Sequence, residues 1–307
     1  MSGPVCLVTG SSSGIGAAIA STFAANGCDV VINYNTGEAR AAEIASKLRS
    51  NHHIEALTLQ ADLAQREAAF GLVDQTISHF GRLDVVVSNS GVVNYVPDAE
   101  GNLVRYRFAD TPMDHLDAEM ARVMNLNLMG AYRLMQRSMH HMTAQAEKEL
   151  ATGNEPLHRS ILVISSISDV APDATRIPYG VSKAGIHHAI IGAAFEGGPF
   201  NITVNALRPG VISTPLTSRP SGIEDPQTGK ELTVAETYAL MAEGGSQVVP
   251  RVGKPDEIAY ATYAFTHIPY MTGQLVAVDG GFTLVNGFPN RELFLQEGFR
   301  RRSSSAD

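Results

Sequence analysis

The sequence predicts an α/β fold, a doubly wound parallel sheet with helices on both faces. Three observations predict it. Short apolar runs alternate with stretches of helical periodicity, the pattern of repeated strand–helix–strand units. The first apolar run, Val5-Cys6-Leu7-Val8, reads as a short buried strand. A glycine-rich turn over residues 9–16, Thr-Gly-Ser-Ser-Ser-Gly-Ile-Gly, then joins that strand to a helix.

Each element follows in order. A strand over 4–9 leads to a helix over 17–26, which Gly27 ends because glycine takes the left-handed cap without strain. A strand over 29–33, a helix over 38–50 and a strand over 56–60 come next. A helix over 66–80 stops at Gly81, and a strand runs over 83–88. Residues 113–142 are helical, 161–165 a strand, 181–195 a helix, 203–207 a strand and 276–278 a last strand. Right-handed crossovers wind such units into one sheet covered on both faces. No linker or repeat divides the chain, so a single domain is expected over 1–285, with 286–307 as a C-terminal tail whose Ser-rich end is solvated and disordered.

Three stretches exceed usual loop lengths: 93–112, 143–159 and 214–251. The first has turn residues between two β-prone runs, which predicts a hairpin with Arg105 and Arg107 on one face and Tyr106 on the other. Those arginines either greet an anionic substrate or form a solvated face.

Composition narrows the function. The 307 residues are 44% hydrophobic and 18% charged, as in an ordinary globular protein. A net charge of −8 argues against a nucleic-acid partner. No apolar run approaches the length of a membrane span, and no signal peptide precedes the first strand, so a cytoplasmic location is expected. Cys6 and Cys28 fall in apolar surroundings, where buried, reduced and inert thiols are expected. His187-His188 point to different helix faces and lack further ligands at metal spacing, so no metal is expected.

Glycines at a strand-to-helix turn let a pyrophosphate approach main-chain N–H groups at the helix N-terminus. Downstream, Tyr179 and Lys183 lie four residues apart and so share a helix face. A carbonyl that gains a hydride becomes an alkoxide and needs a proton; a phenol beside an ammonium, which favours the phenolate form, can supply one.

The order of five motifs resembles the short-chain dehydrogenase/reductase family, one-domain type, over nearly all of residues 4–283: the glycine turn, Ala61-Asp62-Leu63, Ser88-Asn89-Ser90-Gly91, Tyr179-Gly180-Val181-Ser182-Lys183, and the run Pro209-Gly210-Val211-Ile212-Ser213-Thr214. The resemblance implies a Rossmann-like fold and an NAD(P)(H)-dependent oxidoreductase that interconverts a ketone and a secondary alcohol. It places Gly10, Ser12, Ser13, Gly14, Ile15 and Gly16 at the dinucleotide phosphates. It places Tyr34 and Asn35 at the adenosine ribose, and Asp62 with Leu63 at the adenine. Asn89 lies beside the adenosine ribose and steadies the sheet, and Gly91 is also placed at the cofactor; Ser88 and Ser90 depart from the usual Asn and Ala. Pro209, Gly210, Ile212 and Thr214 are placed among the cofactor-binding residues, with Ile212 and Thr214 at the nicotinamide carboxamide.

The resemblance also implies the chemistry. Tyr179 is the general acid/base, Lys183 binds the nicotinamide ribose, and Ser166 holds the substrate oxygen. Ser165 and Ser168 compete with Ser166, which the family's spacing selects. Asn127 matches the asparagine of a proton relay, with Asn125 as its neighbour. Tyr34 stands where an acid would repel a 2′-phosphate and Arg40 is within reach of one, which favours NADP(H); Ser13, where a basic residue would favour NADP, leaves NAD(H) as the alternative. A substrate lid is expected over about 213–250, with further contacts from 92–95 and 170–178, and a homotetramer, or a homodimer, is implied. A cofactor-binding regulator or scaffold on the same fold is the alternative function; such proteins typically lose the Tyr or Lys that this chain keeps.

Overall fold

The computed structural model describes residues 3–97, 103–104, 106–171, 173–285 and 291–304. Its first half runs β1 (Val5–Val8), α1 (Gly14–Ala25), β2 (Asp29–Tyr34), α2 (Glu38–His52), β3 (Ala56–Gln60), α3 (Arg66–Phe80) and β4 (Val85–Ser88). A hairpin of β5 (Val96–Pro97) and β6 (Leu103–Val104) precedes α4 (Met113–Val123). That helix passes through a π-helical stretch, Met124–Gly130, into α5 (Ala131–Ala151). Next come β7 (Arg159–Ile164), α6 (Ile177–Gly197), β8 (Ile202–Pro209) and a second hairpin, β9 (Pro220–Glu224) with β10 (Glu231–Thr233). The chain closes with α7 (Val234–Glu243), α8 (Pro255–Thr266), β11 (Leu275–Val278), α9 (Phe282–Val285) and α10 (Arg291–Ser304).

Seven strands form one parallel sheet in the order β11-β8-β7-β4-β1-β2-β3. The chain builds outward from β1 through β2 to β3, then crosses back to start again at β4. The loops leaving β1 and β4 therefore diverge and open a crevice at their carboxyl ends, where doubly wound sheets bind ligands.

Strand residues alternate between two cores. Val5, Leu7, Val86, Ile161 and Val163 pack against Leu72 of α3, Leu134 of α5 and Ile186 of α6. Cys6, Val8, Val85, Val87, Leu162 and Ile164 pack on the other face against Phe23 of α1, Leu48 of α2 and Ile258 of α8. This double burial is why the strands read as continuous apolar runs. Each fully buried Leu, Ile or Phe contributes about 1.5–3 kcal/mol, so the sheet needs no covalent staple. Both cysteines are free and buried. Burial pushes the Cys28 thiol up to about 11 and the Cys6 thiol well above its usual value, which keeps both protonated and unreactive.

Three segments depart from the sequence reading. The stretch expected as a loop over 143–159 continues α5 to Ala151. Its Ala-Gln-Ala-Glu-Lys-Glu-Leu-Ala run is made of strong helix formers, and Gln145 pins it by exchanging two 3.0 Å hydrogen bonds with the Leu83 main chain. The long third loop contains the β9–β10 hairpin and α7, whose start is a capping box: Glu236 N donates to Thr233 Oγ1 while Thr233 N donates to Glu236 Oε2. The expected tail forms α10 over Arg291–Ser304, with Leu295 buried against Leu240 and Met241 of α7. Gly298 leaves no room for a Cβ beneath the Leu240 carbonyl, which is what lets the two helices meet. The basic run that suggested a solvated end pairs instead with acids: Arg300 and Arg301 with Glu297, and Arg302 with Glu243. Residues 305–307 lie outside the described residues.

Candidate active site

The crevice between β1 and β4 continues along the carboxyl ends of β7 and β8 as one cleft of about 590 Å³. Its floor at the β1 end is main chain. Gly10 and Gly14 both take left-handed backbone, with φ of +61° and +57°, conformations that favour glycine. Ser13 is extended and its side chain does not cap α1, so the first-turn N–H groups are left for an anion. A Cβ on Gly16 would lie 2.5 Å from the Gly10 carbonyl oxygen and 2.6 Å from Asn89 Nδ2. The helix thus approaches the strand only because the residue is glycine.

Two asparagines brace this floor. Asn89 Nδ2 donates to Thr9 O at 2.9 Å, and the Asn89 and Ser90 N–H groups donate to Thr9 Oγ1 at 2.9 and 3.0 Å. That ties the end of β4 to the end of β1. Asn33, at 1% exposure, accepts from Gly10 N at 3.1 Å and donates to the carbonyls of Tyr34, Leu59 and Ala61. It links the glycine turn to β2 and β3, and the sequence reading assigned it no role.

Tyr34, Asn35, Thr36 and Arg40 line the end of the cleft beyond β2. Ser12 Oγ and Arg40 Nη2 both approach Gly37, at 2.8 and 2.9 Å from where its Cβ would be. Asp62 is the single carboxylate lining the cleft among the described residues; its Oδ1 accepts from Ala64 N at 3.0 Å.

The reactive groups gather at the other end. α6 presents Tyr179 and Lys183 one turn apart, with Lys183 Nζ 5.6 Å from the Tyr179 ring centroid. Lys183 is buried and donates to Ile164 O at 3.0 Å. Tyr179 Oη makes no hydrogen bond among the described residues. Ser166, extended at the end of β7, begins a short turn, Ile167–Asp169; its Oγ accepts from Ser168 N and donates to Ser168 Oγ.

Asn127 sits in the π-helical stretch, a distortion that often marks function. It does not line the cleft. Its amide accepts from Val92 N and donates to Val92 O, both at 2.8 Å, and donates to Ser182 Oγ. A Cβ on Gly91 would come 3.3 Å from Asn127 Oδ1 and 3.7 Å from Lys183 Nζ, so the asparagine and the lysine converge behind that glycine. Gly16 likewise stands behind the lining. The other expected site residues, Gly10, Ser12, Ser13, Gly14, Ile15, Tyr34, Asn35, Asp62, Leu63, Asn89, Gly91, Ser166, Tyr179, Lys183, Pro209, Gly210, Ile212 and Thr214, all line this one cleft.

Beneath Ser166 runs a network that sequence spacing did not reveal. Ser165 Oγ lies 2.7 Å from His187 Nε2, His187 Nδ1 lies 3.0 Å from Asp169 Oδ2, and Arg208 Nη1 donates to the same oxygen at 3.2 Å. Burial alone would raise the Asp169 carboxyl, but His187 and Arg208 outweigh it and hold the group below the usual carboxylate range. The network joins β7, α6 and β8 under the turn that carries Ser166. His188 faces away, into a groove between α5 and α6.

The walls of the reactive end come from Tyr95, Arg176, Arg219, Val234 and Tyr238. Tyr95 and Arg176 fall in the segments expected to touch substrate, and Arg219, Val234 and Tyr238 in the expected lid. Arg107 does not line the cleft and is exposed, 4.0 Å from Asp110; Arg105 lies outside the described residues. A signal for Arg176 existed, since it precedes Tyr179 by three residues. None existed for Arg219 or Tyr238, which only the lid's fold brings here.

Residues 4–222 match the family model for short chain dehydrogenase. A Streptomyces violaceoruber protein named as a ketoacyl reductase of the granaticin polyketide synthase is 34% identical over 285 residues, covering 92% of this chain and 97% of that one. A versicolorin reductase of Emericella nidulans is 30% identical, covering 92% and 96%. A short chain dehydrogenase from Burkholderia cenocepacia J2315, solved in complex with NADP, aligns with a TM-score of 0.71 at 26% identity, covering 91% and 98%.

Proposed function

Because the chain belongs to the short-chain dehydrogenase family and is an NAD(P)-dependent oxidoreductase interconverting ketones and secondary alcohols, we propose that Tyr179 is its proton donor and acceptor and NADP(H) its nucleotide. The observation that carries this is the meeting of Tyr179, Lys183 and Ser166 in one cleft with the uncapped N-terminus of α1. The cradle suits a dinucleotide: Gly10, Gly14 and Gly16 clear the main chain for phosphates, and a side chain on any of them would be strained or would fill the space.

When bound, the nicotinamide supplies or accepts the hydride. In the reducing direction Tyr179 Oη gives its proton to the substrate oxygen. Lys183 sets a positive charge beside the phenolate that this leaves. Ser166 Oγ orients the same oxygen by hydrogen bonding, and Asn127 positions the proton path behind Lys183. The absence of a carboxylate at Tyr34 and the convergence of Arg40 and Ser12 on Gly37 at that end of the cleft support a 2′-phosphate.

We also assign the chain to a homotetramer, with a homodimer as the alternative. Ile191 and Phe195 of α6 are exposed at 51% and 89%, and Tyr260 and Tyr270 at 68% and 102%, giving two apolar faces to cover. The free, buried thiols support a cytoplasmic location.

Steady-state kinetics with a ketone panel and both nucleotides test this reading. Tyr179→Phe is expected to lower kcat at least about a hundredfold while NADPH still binds, since general acid catalysis is worth ~10²–10⁴. Substantial activity in that variant, or a higher kcat/KM with NADH than with NADPH, would contradict the assignment it tests.

A further inference from the structure

We propose that the substrate carries a carboxylate, which Arg176 and Arg219 receive at the end of the cleft beyond Tyr179. The proposal rests on the oxidoreductase reading and names the substrate class of the same site.

Arg176 stands at the N-cap position of α6 without capping it, one turn before Tyr179, and both line the cleft. Its side chain is only 14% exposed. A buried guanidinium is costly unless its donors are used. Here they are largely unused. Of five N–H donors, the one hydrogen bond made among the described residues is Nη2 to Tyr238 Oη, at 3.2 Å. Nε is buried without a hydrogen-bond partner. Asp173 Oδ2 stands 3.4 Å from it but off the hydrogen-bonding direction, and Asp173 Oδ1 is engaged by Thr175 N and Oγ1. Burial works against the Arg176 cation, yet Tyr238, Asp173, Tyr179 and Tyr95 together hold it above the ordinary arginine value, so the charge persists.

Arg219 reaches the same end from the lid. Its guanidinium carbon lies 5.4 Å from the Tyr95 ring centroid, and no carboxylate pairs with it among the described residues. Arg176 likewise lies 5.7 Å from the Tyr238 ring centroid. Each arginine thus lies beside a tyrosine ring; apart from the Arg176 Nη2 bond to Tyr238 Oη, these contacts leave the in-plane guanidinium donors free for a ligand.

The charge distribution points the same way. Among the described residues the one carboxylate lining the cleft, Asp62, is in the segment after β3, away from α6. Among the described residues the charged groups lining the reactive end are Arg176, Lys183 and Arg219, and Asp173 beside Arg176 offsets one of these three positive charges. In a chain of net charge −8 this is a local reversal of sign, and a cleft with such a lining concentrates anions. A planar fork of donors matches a carboxylate in particular, and charge-assisted bonds of that kind are the strong ones.

The test uses the NADPH-bound enzyme and two matched pairs. Isothermal titration compares benzoate with benzamide, and turnover compares 4-oxocyclohexanecarboxylate with its methyl ester. The expected result is tighter binding of benzoate by about tenfold or more and a kcat/KM that favours the keto acid. Both ratios should fall toward one in Arg176→Gln and in Arg219→Gln, and Arg176→Lys should restore part of the first. Arg219 is exposed, so its variant keeps the test decisive if the Arg176 variants fail to fold. Equal binding of acid and amide, or ratios unchanged in a folded double variant, would overturn the proposal while leaving the oxidoreductase reading intact. Failure of the wild-type protein to bind either NADPH or NADH would remove both.

Discussion

The two ends of the cleft are made of different materials. At the β1 end the binding groups are main chain: the N–H groups of α1, a turn at Gly10 and Gly14, and a close approach at Gly16. At the α6 end they are side chains: Tyr95 after β4, Arg176 before α6, Arg219 before β9 and Tyr238 on α7. A site built from backbone needs specific residues at specific spacing, because each glycine answers a dihedral angle or a clash. A site built from side chains on four separate segments has no such spacing. Its members meet only through tertiary packing, and each can be exchanged without unmaking the fold.

The largest expected effect comes from breaking the backbone end. In Gly16→Val the new side chain starts 2.5 Å from the Gly10 carbonyl oxygen and 2.6 Å from Asn89 Nδ2, both of them parts of the scaffold. The helix must move away or the turn must open, and either displaces the N–H groups together. NADPH affinity, read by nucleotide fluorescence, should fall at least about a hundredfold, and overpacking should lower stability by roughly 1–3 kcal/mol. Near wild-type NADPH binding would show that the turn is softer than its geometry implies, and the contrast between the two ends would weaken.

That contrast explains what could be read in the sequence. The order of β1–β4 and the helices between them was legible because apolar runs and glycine stops carry it locally. That Tyr179 and Lys183 share a helix face was legible from their spacing of one turn, while Ser166 is singled out only by the family's spacing; all three line one cleft. Asn33 was not, although it makes four hydrogen bonds that hold the glycine turn to β2 and β3. An asparagine at the end of an apolar run looks like a strand stop, and only the neighbouring strands reveal its partners. The continuation of α5 past Met142 is missed for a different reason: residues 143–159 read as a long loop, although the Ala- and Glu-rich run over 144–151 is helical in propensity. The network of Ser165, Asp169, His187 and Arg208 draws on β7, the turn after it, α6 and β8, so no window of sequence contains it.

A middle-sized effect is expected at that network, which lies between the two materials: side chains fixing the turn that carries Ser166. Asp169 is ionised in the fold and its carboxyl is held below the usual range by His187 and Arg208, against the opposing effect of burial. A depressed folded value means stability that is fully present above the unfolded value near 3.9 and lost as pH falls through the folded one. Asp169→Asn should therefore lower the melting temperature most at pH 6 to 7, through loss of about 1–3 kcal/mol of charge-assisted hydrogen bonding. The gap to wild type should narrow as the pH drops below 4. Thermal unfolding of both proteins across that range decides it, and parallel curves would count against the coupling. If Ser166 depends on this support, kcat should fall in the variant more than NADPH binding does.

The smallest effect separates two arginines that the sequence could not. Arg107 follows the β5–β6 hairpin and is, with Arg105, one of two residues expected either to meet an anion or to form a solvated face. Its side chain is 78% exposed, the acid it meets among the described residues is Asp110 at 4.0 Å, and it does not line the cleft. An exposed pair of that length is screened by water and salt and adds almost nothing to stability. Arg176 is buried, keeps its Nε without a hydrogen-bond partner and lies one turn from Tyr179. Arg107→Ala should leave the melting temperature within about 1 °C of wild type and the keto acid to ester preference unchanged. If the Arg107 variant instead loses acid preference as the Arg176 variants do, the hairpin closes over the cleft during turnover. The α6 end would then draw on a fifth segment, and recognition there would depend on movement as well as on packing.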